Sequence, residues 1–183
     1  YFEYALAQDV LEHIPRLRVN TALKEWNRLL VKKGVLQLRV PNVVALCDLL
    51  KQPDYATPEQ HEVLLQGLFG TQAYPGDFHC FGFTETVLRA RLGEAGFEIS
   101  RIDLKDGWLF DVSCKKVREE RPDPILVLEG EALIEAIYQR YLERKPDSQG
   151  LSHYLNLLNS GIPAESVIEA IASSPECKTR AQA

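Results

Sequence analysis

Methionine is absent from the 183 residues, position 1 included, which predicts that Tyr1 follows further gene-encoded sequence or a processing event. Cysteine is scarce. Cys47, Cys80, Cys114 and Cys177 stand far apart with no Cys-x-x-Cys pair, a pattern that favours isolated thiols over a zinc knuckle or disulfide framework and fits a reducing compartment. Long apolar runs are missing too: residues 43–47 are typical of the longest, against the roughly 20 needed to cross a bilayer. No basic-then-apolar signal opens the chain, so a cytoplasmic location and no membrane partner are expected. Positive charge is not in excess, with 21 Lys plus Arg against 26 Asp plus Glu and a net charge of −5. Neither sign collects into long runs, which argues against a nucleic-acid partner. What the chain does have is 45% hydrophobic residues, enough to bury a core.

Apolar periodicity organises the first two thirds. Residues 4–7 read as a short buried strand. Val19, Ala22, Leu23, Trp26, Leu29 and Leu30 then recur every three or four residues, one stripe of a helix that should end at Lys32-Lys33-Gly34, where lysines suit the negative helix end. Residues 35–40 alternate Leu36, Leu38 and Val40 with Gln37 and Arg39, a strand stopped by Pro41. Strand, helix, strand in this order predicts a βαβ unit of an α/β sheet. Helices are expected over 43–51 and 59–69, a glycine- and aromatic-rich loop over 70–83, and a helix capped by Thr84 and ended by Gly96. Two strand-like runs flank Asp106-Gly107, a strong hairpin signal, so the sheet should finish with an antiparallel pair. Charge and proline then mark a linker at 118–126 between a domain of residues 1–117 and a small all-α domain of 127–183. Helices are expected there over 128–144, 149–159, 163–173 and 175–181.

"DVLEHIP", "ALKEWNRLLVKKGVLQLRVPN" and "GFTETVLRARLGEAGF", in this order and spacing, resemble the second half of a bacterial class I S-adenosylmethionine-dependent methyltransferase. The resemblance covers residues 1–116 and departs at Val31-Lys32-Lys33-Gly34, where the family carries Lys-Pro-Gly-Gly. It implies a partial Rossmann-like sheet and a methyl acceptor that is a small molecule or is glycan-linked. The family's first strand, glycine-rich turn and ribose-holding acidic residue lie ahead of "VLEH" and are not in these 183 residues. Doubly wound sheets bind ligands where strand order reverses, so weak or no S-adenosylmethionine binding is expected of this fragment. A homodimer through the unpartnered sheet edge is also expected. The tail, from Ile134 to Glu176 with Tyr138, Arg144-x-Pro146-Asp147-x-x-Gly150 and Ser174-Pro175-Glu176, is similar to a small helical bacterial domain family of unknown function. That family often accompanies surface-polysaccharide enzymes, which hints at a glycan context.

Methyl transfer needs alignment of the acceptor and, for some acceptors, a proton acceptor. The resemblance places Gln8 and Asp9 beside the methionine part of the cofactor; a polar loop capping the next turn is the alternative. His13 beside Glu12 is a candidate general base, or a histidine packed at a helix start. His79 is a second catalytic candidate in the loop "DFHCFGF". There Phe78, Phe81 and Phe83 either stack on substrate or pin the loop to the core. Glu12, His13, Asp77 and His79 are ligand types that suit zinc or iron, but no regular spacing supports a metal site and none is assigned. His61 reads as a surface residue, and Trp26 and Trp108 as core packing. The rival to an enzyme is a non-catalytic interaction module with a partner-binding helical tail.

Overall fold

The computed structural model describes residues 1–180, and the chain divides into two compact units, Tyr1–Arg121 and the remainder from Pro122. In the first unit β1 (Phe2–Gln8), α1 (Val19–Leu29), β2 (Leu30–Pro41), α2 (Val43–Leu49), α3 (Pro58–Phe69), α4 (Glu85–Glu94), β3 (Phe97–Lys105) and β4 (Leu109–Lys116) follow in order. The four strands form one mixed sheet in the order β1-β2-β4-β3. β1 and β2 run parallel, while β4 is antiparallel to both β2 and β3. The α/β class and the closing hairpin thus stand. The hairpin turn follows from Asp106 and Gly107, at φ 51° and 77°, a pair of left-handed residues whose twist suits joined antiparallel strands.

Alternation decides which face is covered. Leu36, Leu38 and Val40 lie level with Cys114, Val112 and Phe110 on β4. Together with Leu23, Leu88, Leu92 and Phe83 they form the core. The opposite face carries Gln37 and Arg39 of β2 and Asp111 of β4, where the Asp111 carboxylate accepts a hydrogen bond from Gln37 and pairs with Lys105 of β3 at 2.7 Å and Arg39 at 3.4 Å.

Two expectations for this unit change. β1 is not a buried strand: it lies at the sheet edge, with Phe2, Tyr4 and Leu6 at 60%, 54% and 54% exposure and only Ala7 buried. α1 also stops at Leu29, and Leu30 already belongs to β2, so Lys32 and Lys33 sit in an irregular stretch of that strand. The cation at the helix end comes instead from β4. Lys116, nearly buried, donates to the carbonyls of Asn27 and Leu30 at 2.7 and 2.8 Å, which satisfies helix-end acceptors and places positive charge at the negative pole.

Residues 118–126 divide between the units. The buried Asn27 side chain donates to the carbonyls of Ala95 and Arg118 and accepts from the Glu120 amide, while Ile125 joins the core of the second unit. That core also takes Leu133, Ile134, Ile137, Tyr138, Leu142, Val167 and Ile171 from α5 (Gly130–Leu142) and α7 (Ala164–Ala172). α6 (Ser148–Asn159) and α8 (Pro175–Arg180) complete the unit; residue 181 of the expected last helix lies outside the described residues. The Arg144–Gly150 turn has a physical role here. Glu143, in a left-handed conformation, ends α5, Asp147 caps α6, and Arg144 lies over the Tyr138 ring while pairing through two nitrogens with Glu176 of α8.

Candidate functional site

A cavity of about 370 Å³ opens where the parallel strands end. Asp9 follows β1, Pro41 ends β2, α3 contributes Val63, Gln66 and Gly67, and Trp108 enters from the hairpin turn. Glu12 and His13 reach it from a 3₁₀ turn, Leu11–His13, and His79 from the loop before α4. Local forces fix that turn. Asp9 at φ 53° bends the chain sharply out of β1, and Leu11, fully buried, anchors the next residues in the core.

The loop is tied down from both sides. The Glu12 carbonyl accepts from the amides of Cys80 and Phe81 at 2.7 and 3.1 Å, and the His79 amide donates to Phe69. Gly70, at φ 80°, lies so close to the Asp77 carbonyl that a Cβ there would collide with it, so glycine is required where α3 hands over to the loop. Asp77 closes the loop by accepting from the Thr71 hydroxyl and the Ala73 amide. The Thr71 hydrogen bond holds its carboxyl below the usual range.

Both histidine rings are oriented by main-chain carbonyls. His13 Nδ1 lies 3.1 Å from the Phe78 carbonyl and His79 Nδ1 lies 3.1 Å from the Gly67 carbonyl. A carbonyl can only accept, so each Nδ1 carries a proton, and Nε2 is the position that holds the lone pair whenever the ring is neutral. The rings meet edge to face at 4.9 Å between centroids. One donor atom from each of Glu12, His13 and His79 lies within 4.8 Å of the other two. Glu12 is 1% exposed and its Oε2 has no hydrogen-bond partner. Burial, with some help from Asp9, pushes its carboxyl up to about 7. Burial and then the neighbouring His13 push the His79 imidazole down.

The structure therefore brings together Asp9, His13 and His79 and separates them from the other candidates. Gln8 turns to the opposite face of the sheet, where its amide oxygen can accept from Arg39 at 3.3 Å. Phe83 is fully buried in the core, and Phe81 packs on it with ring centroids 4.8 Å apart. Phe78 is 50% exposed and contributes its carbonyl to His13 rather than its ring to the cavity wall. None of the three phenylalanines lines the cavity; Phe81 and Phe83 serve packing, while Phe78 stays at the surface. Trp108, expected in the core, is a wall residue instead, whereas Trp26 does pack on the core. His61 on α3 is half-buried and outside the cavity lining. Glu12 is the residue that sequence reasoning undervalued. Its signal was its place in Glu-His directly after a strand, but nothing local foretells its burial.

Residues 128–181 match a family described as a domain of unknown function, DUF4214. No curated protein matches the chain. Among solved structures it is similar to a possible exported protein from Bordetella parapertussis, at 18% identity and a TM-score of 0.46, over 67% of this chain and 39% of that one.

Proposed function

We propose that residues 1–116 form the acceptor-side half of an S-adenosylmethionine-dependent methyltransferase for a small-molecule or glycan-linked acceptor. The observation that carries this reading is the position of the cavity, at the carboxyl ends of the parallel β1–β2 pair in a sheet that an antiparallel hairpin closes. Ligands of open α/β sheets bind at such ends. His13 and His79 both line the cavity, and with each Nδ1 engaged by a main-chain carbonyl the Nε2 of a neutral ring is the atom left to hold or deprotonate an acceptor oxygen. Asp9 stands where the parent resemblance puts the cofactor's methionine part, while Gln8 is set aside by its turn toward Arg39. In this reading the open edge of β1 takes a further strand, and that strand leads to the glycine-rich turn on which the cofactor rests. An interaction module is the second reading, favoured by the exposed Phe2, Tyr4 and Leu6 on that same strand.

Calorimetric titration with S-adenosylmethionine separates these. The 183 residues alone should show no micromolar binding, and the longest reading frame that contains them should bind at micromolar concentration. Tight binding by the 183 residues overturns the half-site. No binding by the longer protein overturns the methyltransferase.

A further inference from the structure

We propose that Glu12, His13 and His79 form a binding site for a first-row divalent cation of the zinc type, with a coordination position left open to the cavity. Three kinds of observation converge on it. The first is the donor set, two imidazoles and one carboxylate within 4.8 Å of one another; three such ligands and an open position are what catalytic zinc sites and related iron sites use. Secondly, each Nδ1 is bound to a main-chain carbonyl. Metal-bound histidines are commonly oriented in this way, with the other ring nitrogen turned to the ion.

The third is the Glu12 carboxylate. It is 1% exposed, lines the cavity, and leaves Oε2 without a donor. A buried carboxylate oxygen without a partner is costly. Where both rings are neutral their lone pairs do not relieve it, because like the carboxylate they are acceptors. A cation satisfies all three acceptors at once. Asp9 and Asp77, the other carboxylates on the cavity wall, add negative potential that favours a cation further. The two imidazoles select a transition metal over magnesium or calcium, which prefer oxygen. His61 and His153 lie outside the cluster, so they serve as internal controls. The site does not depend on the methyltransferase reading and survives if S-adenosylmethionine fails to bind.

Zinc titration of the 183-residue protein, followed by calorimetry and by NMR of the four histidine rings, tests it. One zinc per chain is expected, with ring shifts at His13 and His79 but not at His61 or His153. Glu12→Gln and His79→Asn should each weaken binding by at least the roughly 10–100-fold that loss of a ligand's hydrogen-bond partner costs. His61→Ala should leave it unchanged. Cobalt(II) should give the visible absorption of a low-coordinate site, and magnesium should not compete. Absence of stoichiometric zinc binding overturns the proposal. So does stoichiometric binding that shifts His61 or His153 instead, or that follows the cysteines. The ring shifts are read on the unaltered protein, so an unfolded variant cannot hide the answer.

Discussion

His13 and Asp111 show how one side chain's surroundings set what it does. The Phe78 carbonyl fixes the His13 tautomer, so a proton and a cation compete for the one lone pair on Nε2. On the proposed methyltransferase reading, His13→Ala in a protein that also carries the cofactor half should lower turnover by about 10²–10⁴-fold while S-adenosylmethionine affinity changes by less than about threefold; turnover kinetics and calorimetry read the two effects separately. Asp111 is a structural counterpart. Burial pushes its carboxyl up, but Lys105, Arg39 and Gln37 outweigh this and hold it below the usual carboxylate range, although Asp103 stands opposite it on β3. A carboxyl with a lowered folded pKa adds stability above its unfolded pKa and loses it as pH falls through the folded value. Asp111→Asn should therefore cost about 1–3 kcal/mol near pH 7, with the gap to the unaltered protein closing in strong acid. Urea titration at several pH values measures that gap.

Between elements, the contacts that matter join residues far apart in sequence. Lys116 reaches back from β4 to the end of α1, and Asn27 of α1 holds the chain beyond β4. Lys116→Met should destabilise the first unit by roughly 3 kcal/mol, since the buried carbonyls of Asn27 and Leu30 lose their charged donor; thermal melting checks it. These contacts also show what sequence could and could not tell. The α1 stripe, the β2 alternation, the Thr84 cap and the Asp106-Gly107 turn were legible because each is written in neighbouring residues. The helix-end cation was misplaced onto Lys32 and Lys33 because its true source is a side chain 89 positions from Asn27. The site was half-legible for the same reason. Asp9, His13 and His79 could be named one by one, but their convergence with Glu12 depends on a loop folding back. Of that loop's aromatic side chains Phe81 and Phe83 went to packing and Phe78 to the surface, a division that composition alone does not reveal.

For the whole molecule, the open edge of β1 is the feature with the widest reach. Phe2, Tyr4 and Leu6 are exposed there beside main-chain groups that have no strand neighbour among the described residues, and such edges pair readily. The 183-residue protein should associate into dimers as its concentration rises, and Leu6→Lys should return it to monomer. Light scattering over a concentration series decides; a monomer throughout, or a dimer indifferent to the lysine, refutes edge pairing. The strand order has a further consequence, in time rather than space. β4 lies between β2 and β3, so the second side of β2 stays vacant until the final strand of the sheet has left the ribosome. At roughly 5–20 residues per second, that is a wait of several seconds. Until then α1 lacks its Lys116 cap and β2 is unpaired on one side. Docking of the β3–β4 hairpin thus completes the second side of β2 and the end of α1 in a single late step.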